Sequence, residues 1–265
     1  MALMHVDFFS DTLGMCVQMD AIIPQAVNGQ IGMAGMSGAA DGGPYQTLYL
    51  LHGMSDDHTI WQRRTSVERY AADYGIAVIM PSTQLGWYTD MCHGLKWWTY
   101  VSCELPKICR KFFPLSDKRE DNFAAGLSMG GYGAIKLGLG AGEAFSNVAA
   151  LSGGLDMYSI MTEPEYDVGF GEYWNNVFGP PDKFKGGCND LFALAEKRKD
   201  AGMMMPRIYQ WCGTEDFLYK HNIAFRDHLQ KLGYDLTFEE GPGDHQWKYW
   251  DDKIQRVLEW LPIKK

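Results

Sequence analysis

From Thr47 onward, short apolar runs alternate with amphipathic segments. Thr47 to Leu51, Ile76 to Met80, Asn122 to Ala125, Val148 to Leu151, Arg207 to Trp211 and Leu236 to Glu239 predict strands. Ile60 to Tyr74, Trp97 to Phe112, Met129 to Leu139, Leu191 to Lys199, Ile223 to Leu232 and Trp247 to Leu261 predict helices. Buried parallel strands alternating with helices make an α/β fold with a mostly parallel, doubly wound sheet. Such a sheet has helices on both faces and takes its ligands beyond the carboxyl ends of its strands. Upstream, Val6 to Ser10 and Met15 to Ile23 read as two antiparallel strands around a turn at Asp11 to Gly14. The glycine-rich stretch Asn28 to Gly43 has too little apolar content to pack and reads as an exposed loop. Gly153 to Gly187 is long, aromatic and poorly periodic, and reads as a cover over the site.

Composition narrows this picture. A chain of 265 residues, 46% hydrophobic and without a linker, fits one α/β domain over residues 1–265. A formal charge of -9 argues against sequence-independent binding to nucleic acid or to an anionic membrane, leaving small neutral or weakly charged molecules as partners. The N-terminus lacks the basic and apolar regions of a signal peptide, and no apolar run approaches membrane-spanning length. The six cysteines are scattered and fit reduced, mostly buried thiols, so a cytoplasmic location is expected. The aromatic residues hint at subunit contacts and a homo-oligomer without identifying an interface.

The candidate chemistry starts at Gly126-Leu127-Ser128-Met129-Gly130, a G-x-S-x-G pattern. A strand before it, a helix after it and glycines at 126, 130, 131 and 133 are what a nucleophile elbow needs, since strand and helix must approach closely. A serine hydroxyl is a poor nucleophile near neutral pH and requires a histidine base oriented by an acid. His245 follows the last predicted strand in a flexible turn, whereas His228 reads as a helix-face residue and His221 as lying just before that helix. For the acid, Glu215 and Asp216 both follow the strand ending at Trp211; Asp216 is favoured, with Asp244 a solvated neighbour of the histidine. The oxyanion donors expected of this architecture are the backbone N–H groups of Met129 and of Met54, the latter in the loop Leu50-Leu51-His52-Gly53-Met54. His52 reads as a buried support of that loop. Asp90 and His93 lack a third ligand, so no metal site is expected. Trp87, Tyr88, Trp97 and Trp98 could line an acyl or aryl pocket or belong to the core.

Taken together, Leu51-His52-Gly53-Met54, Gly86-Trp87-Tyr88-Thr89-Asp90, Ala125 to Gly133, Trp211-Cys212-Gly213 with Asp216 to Tyr219, and Asp244-His245 with Trp247 resemble the tributyrin esterase branch of the esterase D family. The resemblance implies an α/β-hydrolase without a separate cap domain, hydrolysing short-chain acyl esters through Ser128, Asp216 and His245, with Met54 and Met129 as oxyanion donors. It implies no metal or organic cofactor. The same superfamily holds S-formylglutathione hydrolases, carbohydrate esterases that remove acetyl or feruloyl groups, and mycolyltransferases. Asp56 departs from relatives with glycine beside the oxyanion loop, and its carboxylate could disfavour anionic substrates. The expected activity is therefore that of a serine carboxylic ester hydrolase for short acyl groups. The rivals are an acetyl or feruloyl esterase, an S-formylglutathione hydrolase, an acyltransferase and, from another class, a non-catalytic hydrolase-fold binding protein.

Overall fold

A computed structural model describes residues 1–25, 44–166 and 172–264. The Asn28 to Gly43 loop expected above lies outside the described residues, as do Phe170 and its neighbours in the expected cover.

Eight strands form one sheet: β1 (Ala2–Ser10), β2 (Met15–Ile23), β3 (Thr47–Leu51), β4 (Ala77–Pro81), β5 (Asn122–Leu127), β6 (Asn147–Leu151), β7 (Arg207–Gly213) and β8 (Leu236–Gly241). Their order is β1-β2-β4-β3-β5-β6-β7-β8. β1 and β2 pair antiparallel, as does β2 with β4, and every pairing from β4 to β8 is parallel. The strands β3 to β6 are buried throughout because helices cover both faces, which is why they read as continuous apolar runs. β1 at the sheet's edge alternates instead, with Leu3, His5, Asp7 and Phe9 outward, and starts four residues earlier than its apolar content suggests.

The helices are α1 (Ile60–Arg64), α2 (Val67–Tyr74), α3 (Trp97–Thr99), α4 (Leu105–Phe112), α5 (Met129–Gly140), α6 (Met157–Thr162), α7 (Tyr173–Phe178), α8 (Pro181–Phe184), α9 (Leu191–Asp200), α10 (Tyr219–Leu232) and α11 (Trp247–Trp260). One core, on the sheet face covered by α1, α2 and α11, includes Trp61, Ala71, Trp211 and Ile254; the other lies under α4, α5, α9 and α10 and includes Cys109, Ile135, Ala195 and Phe225.

Several expected elements differ. The segment from Ile60 breaks at Thr65, whose hydroxyl donates to the Trp61 carbonyl at 2.6 Å and accepts from the Val67 N–H at 3.2 Å, so a side chain replaces the helical ladder there. Trp97 to Phe112 is likewise not one α-helix. A π-helical turn, Tyr100–Glu104, precedes α4, where Pro106 has no N–H to bond the Ser102 carbonyl. The aromatic stretch after Gly153 is more ordered than expected, since its described parts form α6, α7 and α8. α10 starts at Tyr219 rather than Ile223 because its polar first turn is bound: the Asn222 amide donates to the carbonyls of Gly153 and Leu218 at 2.9 Å each. His221 accordingly lies inside the helix and not before it. The cysteines are free, but only Cys109 and Cys212 are buried, which corrects the expectation of mostly buried thiols. Among the described residues, no helix is long and apolar enough to cross a membrane.

Candidate active site

Four parallel strands deliver the candidate residues to one end of the sheet. β3 ends at Leu51 beside Gly126 of β5, and Leu127 pairs with Leu151, which pairs with Trp211 of β7, which pairs with Glu239 of β8. The loops beyond these ends carry His52 to Met54, Ser128, Asp216 and His245.

Ser128 sits between β5 and α5 with φ 52° and ψ -117°, a conformation that costs a non-glycine residue about 1–3 kcal/mol. It is held there from both directions: its N–H donates to the Leu151 carbonyl at 2.9 Å, and its carbonyl accepts from Tyr132 at 3.1 Å and Gly154 at 3.1 Å. The sharp turn requires glycine at two places. A Cβ on Gly126 would stand 2.4 Å from the Gly130 carbonyl carbon, and one on Gly130 would stand 2.4 Å from the Leu51 carbonyl oxygen. The start of α5 thus rests against the end of β3, bringing Met129 and the 52–54 loop to the same place. A Cβ on Gly53 would lie 3.7 Å from that of Ser128.

The loop is fixed by His52, whose Nε2 accepts from the Thr83 N–H at 3.0 Å while Nδ1 donates to the Gly53 carbonyl at 2.7 Å. This pattern needs a neutral ring, and burial pushes the His52 imidazole down to about 4. The Tyr88 hydroxyl adds a hydrogen bond to the His52 carbonyl at 2.9 Å. Asp56, half-buried beside Gly53, is pushed up to about 6, mainly by burial and in the same direction by the charge of Asp57.

Asp216 and His245 meet. The His245 Nδ1 lies 2.9 Å and 3.1 Å from the two carboxylate oxygens, and the Asp216 side chain is fully buried. The Leu218 N–H donates to the same carboxylate at 2.9 Å. The imidazole is packed against Phe217, centroid to centroid 4.6 Å, and the edge of Trp250 at 4.8 Å. Glu215 points elsewhere, accepting from the Gly243 N–H, and Asp244, half-buried, accepts from the Gln246 amide. The remaining rivals are engaged too: His228 Nε2 is 3.2 Å from the Phe192 carbonyl, and buried His221 packs on Tyr166.

A cavity of about 690 Å³ opens at Ser128, and Met54, Trp87, Ile160, Trp174, Asp216 and Phe217 are among its walls. Of the four aromatic residues considered from the sequence, only Trp87 lines it. Tyr88 and Trp97 are core residues, filling notches at Gly133 and Gly86, and Trp98 lies against Gly140 and the Lys136 ammonium. Tyr166 and Trp174 come from the aromatic segment expected to cover the site, though the sequence did not single them out as pocket residues; Ile160 and Phe217 were missed, the one signal for Phe217 being its place next to Asp216. Asp90 caps the turn at Thr99, and among the described residues no three metal-binding side chains come together.

The model of the Esterase family matches residues 25–261. An acetyl esterase of Caldicellulosiruptor saccharolyticus is 32% identical over 265 residues, which are 98% of each chain. Among solved structures, the fluorophosphonate-binding serine hydrolase FphF of Staphylococcus aureus is 34% identical with a TM-score of 0.87, over 100% of this chain and 99% of that one. The S-formylglutathione hydrolase FrmB of the same organism is 35% identical with a TM-score of 0.84, over 98% of each. The chain, an α/β-hydrolase in fold and a carboxylic ester hydrolase in activity, therefore belongs to the Esterase family.

Proposed function

We propose that the protein hydrolyses short-chain acyl esters through an acyl-enzyme on Ser128. The carrying observation is the buried Asp216 carboxylate on His245 Nδ1, with Asp216 lining the same cavity as a serine held at φ 52° on a strand-to-helix turn. With its Nδ1–H fixed by Asp216, the ring's free Nε2 is the base that takes the Ser128 proton as Oγ attacks the ester carbonyl. The N–H groups of Met54 and Met129 receive the oxyanion, each worth on the order of 10²- to 10³-fold in rate. His245 then gives its proton to the departing alcohol, and a water activated by the same ring releases the acid.

The cavity supports an uncharged, largely apolar substrate. Its rim carries Lys220 paired with Glu163 at 2.6 Å and Glu165 at 2.7 Å, two carboxylates to one ammonium, which disfavours an anionic glutathione thioester. The aromatic wall of Trp87, Trp174 and Phe217 favours a second reading, an aryl acyl group such as a hydroxycinnamate. Initial rates on acetyl to octanoyl esters, methyl ferulate and S-formylglutathione, with wild type and Ser128→Ala, decide between them. The variant should lose at least roughly 10⁴-fold. A variant that keeps the wild-type rate would remove Ser128 from the reaction.

A further inference from the structure

Lys136 lies two turns into α5 from Ser128, is 2% exposed and has no carboxylate within ion-pair distance among the described residues. A buried lysine without a counterion is costly unless neutral acceptors satisfy its N–H groups. Its Nζ donates to Thr89 Oγ1 at 2.6 Å, to Asn189 Oδ1 at 2.7 Å and to the Tyr88 carbonyl at 3.4 Å. It also stands over the rings of Trp98 at 4.8 Å and Tyr132 at 5.6 Å, where a cation is favoured. Thr89 and Asn189 are joined to each other at 2.5 Å, and the Tyr132 hydroxyl, one turn before Lys136, donates to the Asn189 carbonyl at 2.8 Å.

The segments gathered by this ammonium build one wall of the cavity. Trp87 and Tyr88 both have positive φ, 47° and 49°, so the backbone that aims Trp87 is strained and requires an external hold. The same loop is stitched to α7, which carries Trp174. The Trp87 indole donates to the Tyr173 hydroxyl at 2.9 Å, and the N–H groups of Cys92 and His93 donate to the carbonyls of Val177 at 3.0 Å and Asn176 at 2.8 Å. Trp87 and Trp174 then pack edge to face at 5.5 Å. Loop and helix therefore form one body, which packs on the helix that follows Ser128 through Tyr132, 5.7 Å from Trp87 and 5.8 Å from Phe178, and is hydrogen-bonded to it by Lys136.

We propose that Lys136 is a positioning residue that fixes the Trp87–Trp174 wall against α5 and so sets how well the cavity accepts longer acyl groups. The inference rests on the esterase reading of the same site. A wall held in place is binding surface already ordered before the substrate arrives; a loosened wall must be ordered at the expense of affinity. The loss should fall on chains long enough to reach the wall and appear in KM rather than kcat.

The test is kcat and KM for acetyl and octanoyl esters with wild type, Lys136→Met and Asn189→Ala, each normalised to the sites titrated by a labelled fluorophosphonate. The expected result is a KM for octanoyl ester raised by roughly tenfold in both variants, with that for acetyl ester within about twofold of wild type. Normalisation to labelled sites removes any loss that comes only from misfolding, which would lower both substrates together. Should Lys136→Met fail to fold, Asn189→Ala and Thr89→Val, which each remove one acceptor, decide the matter. Folded, labelled variants with the wild-type octanoyl-to-acetyl ratio would overturn the role of Lys136 and leave the esterase reading intact. A wild-type protein whose Ser128 does not react with the probe would instead sink that reading.

Discussion

Replacing Asp216 by asparagine preserves shape and removes charge, and the structure says which way the new amide will face. One carboxylate oxygen accepts from the Leu218 N–H at 2.9 Å while also lying 3.1 Å from His245 Nδ1; the other is 2.9 Å from the same nitrogen. If the asparagine oxygen faced His245, its NH₂ would face the Leu218 N–H in a fully buried place. Two donors left facing each other cost about 1–3 kcal/mol. The opposite orientation avoids that cost but presents NH₂ to Nδ1, so the ring must accept there and carry its proton on Nε2. That tautomer cannot take the serine proton. The expected loss in kcat/KM is about 10³- to 10⁴-fold, equivalent to about 4–5.5 kcal/mol in the barrier, with a melting temperature close to wild type because the side chain is isosteric. Steady-state rates on acetyl ester and a thermal melt measure both. A variant within tenfold of wild-type kcat/KM would refute the roles given to Asp216 and His245.

Gly130→Ala should cost at least about 3 kcal/mol of stability or prevent folding, because its Cβ meets the Leu51 and His52 carbonyl oxygens at 2.4 and 2.7 Å. Gly241→Ala, with nothing within 4 Å of the added carbon, should cost less than about 1 kcal/mol in the same melts. Asp56 holds its proton to about pH 6 in the folded chain and to about 3.8 when unfolded, so wild type loses stability as pH rises between these values. Asp56→Asn should therefore match wild type at pH 4 and exceed it by about 1 kcal/mol at pH 8, a figure already reduced for the half-exposed carboxyl; equal stabilities at pH 8 would contradict the burial argument. Lys136, pushed down to about 7 by burial, binds its proton less tightly folded than unfolded. Wild type should gain stability relative to Lys136→Met between pH 7 and 9, and a constant difference in melting temperature would speak against a buried ammonium.

The elbow and the loops after β7 and β8 were legible because their chemistry is punctuated: glycines where backbones touch, and acids or histidines directly beyond apolar runs. The strands from β3 to β7 were legible for a related reason, since all of their residues but Arg207 are buried, whereas β8 at the sheet's edge is only partly buried. The wall of the cavity was not legible. Tyr88, Trp97 and Trp87 look alike in a list of residues and all three are buried, but only Trp87 also faces the cavity. Lys136 was invisible in another way, because a lysine in a helix ordinarily marks a solvated face. Its burial depends on Asn189, more than fifty residues away.

The parallel register of the central strands ties reactivity to the order of assembly. The elbow is completed by β3, β5 and β6, yet its candidate base arrives only after β8 has docked on β7 at the far edge of the sheet. His245 lies beyond β8, the last strand of the chain, so synthesis supplies it after every other part of the candidate site. A nascent or partly unfolded chain can thus own a well-formed serine turn and still be chemically silent. Appearance of probe reactivity during refolding would clock the arrival of the last strand, and a chain truncated before Leu236 would be inert however native its centre.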